Sequence, residues 1–271
     1  MKWKNIYRGL VMGGTDVIPG VSGGTIAVLL GIYDQLIAAI NGIFSREWKK
    51  HLGFLIPLGI GIVVAIFTVA RVMEWLLIHH PEPTFYFFLG LIIGVLPLLL
   101  NVADAKTTFK VQHIVILLIS ATLIGLMIFL NEEEGAIITS RTTSTYILLF
   151  FSGALGSAAM VLPGISGSFI LLLIGVYPTV ISAVSNFEFD VIIVTGAGIL
   201  LGIILMSKLI NYLFGNYRTG TFAAIIGMVI GSIFVVFPGW PESTLLVFVC
   251  IVTFAAGLAG AYVLGKVEYK E

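Results

Sequence analysis

Pro-Gly-x-Ser-Gly occurs twice in this chain, at Pro19–Gly23 and again at Pro163–Gly167. These residue types suit the binding of an anion better than covalent chemistry. Proline removes a backbone donor and clashes with the preceding turn, while glycine admits backbone angles that other residues avoid. A helix entering the motif should stop there, and a second helix should start at the serine, a good N-cap type. Such a start offers free N–H groups and the positive end of a helix dipole to an anion. The candidates are Gly20, Ser22, Gly23, Gly24 and Thr25 in the first copy, and Gly164, Ser166, Gly167 and Ser168 in the second. The plainer reading is a packing kink whose glycines let helices approach closely. Two matching copies favour function.

The motifs sit inside a longer repeat. Residues 17–41 and 161–185 share 11 of 25 positions at a constant offset of 144, among them Gly31/Gly175, Tyr33/Tyr177 and Ile37/Ile181. The match continues at an offset of 137, with Gly59 and Gly61 against Gly196 and Gly198, Arg71 against Lys208, and Trp75 against Tyr212. Thr84-Phe85 then pairs with Thr221-Phe222, and Gly90-x-x-Ile93-Gly94 with Gly227-x-x-Ile230-Gly231. The chain therefore reads as two halves, 1–135 and 136–271.

Composition says where those halves reside. Of 271 residues 59% are hydrophobic and 10% charged, with mean hydropathy +1.11, as expected of a polytopic membrane protein. Six apolar runs outside the motif regions have spanning length: about 54–78, 84–101, 111–130, 190–207, 219–237 and 244–265. No small-residue cleavage pattern follows the basic start MKWKNIYRGL, so a removable signal peptide is not expected. Zero net charge gives no footprint for nucleic acid, and the lone Cys250 excludes an intramolecular disulfide.

Orientation follows from the cations. Lys2, Lys4 and Arg8 precede the first motif, and Arg46, Lys49 and Lys50 follow it, so both ends should be cytoplasmic. That parity makes each motif region a re-entrant hairpin, about 6–41 and 146–185, followed by three spanning helices. The halves are then inverted, both termini are cytoplasmic, and 12 of 14 basic residues face the cytoplasm, Arg71 and Arg141 excepted. The expected fold is an all-α polytopic membrane protein of two inverted repeats, with broken helices meeting near the bilayer midplane as in many secondary transporters.

Asp16-x-x-Pro-Gly-x-Ser-Gly-Gly-Thr25, Leu162-Pro-Gly-x-Ser-Gly-Ser168, and Thr84-Phe85 with Gly90 resemble the bacterial polyprenyl-phosphate transporter family, formerly a domain of unknown function. The resemblance covers essentially the whole chain. It implies a flippase that returns undecaprenyl phosphate from the outer to the inner leaflet of the bacterial cytoplasmic membrane, for reuse in cell-envelope synthesis. A lipid phosphate needs a polar site at depth, which hydroxyls, exposed amides and helix starts supply without a buried charge.

On this reading Arg71 and Lys208, equivalent in the repeat, are candidate phosphate-catching cations at opposite entrances, or else snorkel to the headgroups. Glu74, one turn after Arg71, is a candidate partner for it and, with Asp16, a coupling candidate. Asp16, whose repeat position holds Met160, is a candidate for a coupling proton or sodium ion, or else a backbone cap. His79 and His80 with Glu82 read as a solvated outer loop, and no metal or cofactor is expected. The partners are the lipid and the membrane, with a second copy of the chain left open. The competing function is a carrier or channel for a small anion. An intramembrane phosphatase would want a histidine nucleophile or a metal cluster beside the motifs, and no histidine lies near either one, so an enzyme is not expected.

Overall fold

A computed structural model describes residues 3–16, 22–43, 45–129 and 137–268. Among them are thirteen α-helices, one 3-10 turn and no strand. The first half contributes α1 (Asn5–Asp16), α2 (Gly23–Leu29), α3 (Tyr33–Gly42), α4 (Trp48–His79), α5 (Pro81–Val102), the short α6 (Ala105–Thr108) and α7 (Val111–Gly125). The second contributes α8 (Thr143–Val161), α9 (Gly167–Leu173), α10 (Tyr177–Ser185), α11 (Phe189–Asn216), α12 (Arg218–Val236) and α13 (Thr244–Glu268). The protein is all-helical, and seven of these helices are long and apolar enough to cross a membrane. Six answer to the runs read from the sequence. The seventh is α8, whose 19 residues give a rise of about 28 Å.

Each motif region ends in a short helix that turns back on the next. The angle between α2 and α3 is 117°, and so is that between α9 and α10. Gly31 and Gly175, equivalent in the repeat, make the two bends with φ of 62° and 79°, a left-handed conformation that a side chain disfavours.

Small residues decide which helices touch. α1 lies along α4 and α8 along α11, in both cases with backbone against backbone. A Cβ on Gly61 would overlap the carbonyl oxygen of Ile6, and one on Gly198 would overlap that of Phe150. With no apolar driving force between helices in lipid, such close approach is what holds them together. The last helix of each half crosses to the other half: α13 packs on α5, and α7 packs on α12. Gly90 and Gly257 bring the α5–α13 backbones together, and Gly227 lets α12 reach the carbonyl of Leu117 on α7. Fully buried Ile26, Leu29, Ile37, Leu99 and Ile226 join α2, α3, α5 and α12 into one core. Outward faces such as Leu118, Leu123, Phe248 and Ile251 are left bare, as lipid contact requires.

Candidate functional site

The two motifs meet. The first helix start, Ser22 to Thr25, is buried under the end of α8 and the Pro-Gly turn that follows it. Ser22 caps α2 by accepting from the Gly24 amide at 3.1 Å, and its hydroxyl also donates to the Leu162 carbonyl at 3.2 Å. The Thr25 hydroxyl accepts from the Gly164 amide at 2.9 Å, and the Tyr33 hydroxyl donates to the Val161 carbonyl at 3.0 Å. Ser22 and Thr25 are each only 2% exposed. A Cβ on Gly24 would press on the carbonyls of Val161 and Leu162 at 3.1 and 3.2 Å.

The second helix start differs from the first. Ser166 occupies the N-cap position in extended conformation, as expected, but its hydroxyl bonds the Ser168 hydroxyl at 2.7 Å and makes no cap bond to backbone. The Ser166–Ser168 pair is half-buried, whereas Ser22 and Thr25 are fully buried. Gly164 has φ 85°, and a Cβ there would sit 2.7 Å from the Met228 carbonyl oxygen of α12. The turn therefore admits glycine alone.

Several expected residues fall elsewhere. Gly20 lies outside the described residues, as do the side chains of Asp16, Arg71 and Glu74, whose backbones belong to α1 and α4. Lys208 is exposed on α11 beside buried Ser207 and Ile210, on the outer surface of the bundle rather than at the tips. Arg141, one of the two cations that break the charge asymmetry, is neutralised locally. It pairs with Glu188 and lies 3.5 Å from Asp190, which also accepts from the Tyr146 hydroxyl at 2.7 Å.

A cavity of about 630 Å³ opens beside the second tip. Leu162 and Tyr33 close its deep end, α11 and α12 form its long walls, and the start of α7 completes it. Its polar lining is Gln112, His113, Asn216, Arg218, Thr219 and Thr221. The Arg218 guanidinium lies 5.8 Å from the centre of the Phe222 ring, whose residue is 6% exposed, so the exposed head rests over a buried ring at the edge of the cavity. The repeat comparison passed over Arg218, because its equivalent position holds Pro81. A second cavity, of about 430 Å³, lies between the start of α5, the end of α4 and α13, and its walls are mostly apolar.

Comparisons with known proteins agree with this architecture. A family model described as undecaprenyl phosphate translocase-like matches residues 12–249. A polyprenyl-phosphate transporter of Staphylococcus aureus is 42% identical over 274 residues, covering 98% of this chain and 97% of that protein. A polyprenyl-phosphate transporter of Vibrio cholerae is 37% identical over 257 residues, covering 90% of this chain and 80% of that one. No solved structure matches. The family match runs from the last turns of α1 into α13 and takes in both tips, both bends and all four exchanged helices, so the chain belongs to the undecaprenyl phosphate translocase-like family.

Proposed function

We propose that this protein is a flippase that carries undecaprenyl phosphate from the outer to the inner leaflet of the bacterial cytoplasmic membrane, returning the carrier lipid for cell-envelope synthesis. The observation that carries the reading is the contact between the two Pro-Gly-x-Ser-Gly tips inside a bundle with bare apolar flanks. A phosphate stripped of water needs replacement donors, since an unpaired buried charge is far costlier than a paired one. The hydroxyls of Ser22, Thr25, Ser166 and Ser168 and the amides of Gly23, Gly24, Gly164 and Gly167 supply them, with Gly20 completing the first tip. In the conformation described, the first set is spent on the second tip, so Thr25 must release the Gly164 amide before both sets can face a phosphate. The prenyl chain stays in lipid alongside the bundle.

The halves act as inverted repeats, with both termini in the cytoplasm. Two pairings support this: Gln112 and His113 share a cavity with Asn216 to Thr221, and the Tyr86 hydroxyl donates to the Gly239 carbonyl at 3.1 Å. Each joins segments that the charge pattern assigns to one side of the membrane. The large cavity then faces the cytoplasm. Arg71 remains the outer entrance cation in this scheme and Lys208 an inner one acting from the lipid-facing surface, with Asp16 and Glu74 as coupling candidates for a proton or sodium ion.

The test is leaflet exchange in reconstituted liposomes with undecaprenyl phosphate, its pyrophosphate and inorganic phosphate. Protein-dependent movement of the monophosphate lipid is expected. Movement of inorganic phosphate alone would replace this reading with a small-anion carrier.

A further inference from the structure

The two cavities are one groove built twice. Nine lining positions of the larger lie 137 residues from nine lining the smaller, the spacing of the repeat; Met73 and Ile210, Leu76 and Leu213, and Thr84 and Thr221 are among them. The third wall is equivalent too, since α7 closes the larger and α13, its counterpart, closes the smaller.

The chemistry is not repeated. Arg218 and Thr219 of the larger cavity correspond to Pro81 and Glu82, so a cation and a hydroxyl are replaced by an imino acid and a carboxylate. Gln112 and His113 on α7 correspond to Val249 and Cys250 on α13, and Ile116 to Thr253. An anion in the larger cavity finds a guanidinium and several neutral donors. Among the described residues the smaller offers no Lys or Arg, only His80, Thr84 and Thr253 among apolar walls, with Glu82 at the start of the adjoining helix.

Arg218 rests on Phe222 but holds no carboxylate: among the described residues none lies within ion-pair distance of it. Asp34 interacts with it only through space. A guanidinium presents a fork of donors that fits phosphate oxygens in pairs, and here the ring beneath it leaves those N–H edges free to bind.

We propose that the larger cavity is a phosphate station: it holds the phosphate monoester of the lipid on one face of the membrane, with Arg218 as its cation and Gln112, Asn216 and Thr219 as neutral donors. The equivalent cavity on the other half has no such station. The inference rests on the transport reading above and makes the two faces unequal. Such inequality leaves the equilibrium between leaflets unchanged, but it sets the concentration at which each face fills. Leu162, whose carbonyl accepts from the Ser22 hydroxyl, lines the same cavity as Arg218, so the station adjoins the tips.

The test uses purified full-length protein in nanodiscs, with binding of farnesyl phosphate, inorganic phosphate and farnesol measured separately. Farnesyl phosphate should bind best and farnesol poorly. Arg218→Gln should weaken farnesyl phosphate about tenfold to hundredfold, the range of a charge-assisted hydrogen bond. Arg218→Lys should fall between, because it keeps the charge and loses the fork. Thr219→Glu, which installs the carboxylate of the other half, should match the loss in Arg218→Gln, and Glu82→Thr should leave binding unchanged. Thermal unfolding of each variant reports the fold, and Thr219→Glu decides the matter if Arg218→Gln is unfolded. Binding within about twofold of the wild type in both Arg218→Gln and Thr219→Glu would overturn the station. Inorganic phosphate bound as tightly as farnesyl phosphate would overturn its assignment to a lipid. Failure of wild-type leaflet exchange would remove the transport reading instead, and it is measured without any of these variants.

Discussion

At Gly164 two constraints coincide that are separate at Gly175. Its φ of 85° excludes side chains on backbone grounds, and the Met228 carbonyl excludes them on space. Gly175 has the first constraint without the second, since nothing lies within 4 Å of a Cβ there. Gly175→Ala should therefore cost only the left-handed strain, about 1–2 kcal/mol, and keep transport. Gly164→Ala should cost more and abolish transport, because α12 must move to accommodate it. Thermal unfolding and liposome exchange, run side by side, check the contrast; equal effects at the two positions would mean the tip is not crowded. Thr25→Val removes the acceptor of the Gly164 amide and leaves a buried donor unpaired, a loss of about 1–3 kcal/mol. If closure of the tips limits the rate, this variant should lose stability while transport at saturating lipid holds or rises. The pairing of the tips was legible from the duplicated motif. Their unequal capping was not, because Ser22 and Ser166 are the same residue in the same local pattern, and only the neighbour pressed against the first one distinguishes them.

Among the helices, the glycine pairs that mark the repeat divide into two kinds. Gly61 and Gly198 each meet a neighbouring helix backbone, whereas Gly59 and Gly196 face open space. Residues two apart on a helix point to different sides, so sequence identity could flag all four without telling them apart. Gly196→Ala should be neutral or slightly stabilising, since alanine is the better helix former by about 1 kcal/mol. Gly198→Ala should separate α8 from α11 and leave little folded protein, as judged by size-exclusion profile and thermal unfolding. A tolerated Gly198→Ala would show that the α8–α11 contact is looser than described. Gly90 with Gly94, and Gly227 with Gly231, are four apart and do share a face. Their spacing announces a packing surface in the sequence. Nothing in that spacing says that the helix received comes from the opposite half, because a partner's identity is a property of the assembled bundle.

Over the whole molecule, the charge pattern and the packing make one statement about sidedness. In a Cys250→Ala background, Phe187→Cys should react with an impermeant thiol reagent added outside intact cells, and Trp48→Cys should not. Both native side chains are exposed, so access alone will not confuse the result. The reverse pattern would invert the molecule and place the Arg218 cavity outside. The exchange of α7 and α13 also has a consequence for how the chain is made. While the ribosome is still working, α5 has no permanent neighbour for its glycine face, because α13 emerges more than 140 residues after it. The first half must therefore wait in the bilayer half-dressed, its Gly90–Gly94 strip open to membrane proteases and to other nascent chains. A chain stopped before residue 244 should be degraded, although it retains six of the seven long helices. Supplying α13 as a separate peptide should rescue it, so α13 is what closes the exposed face of the first half.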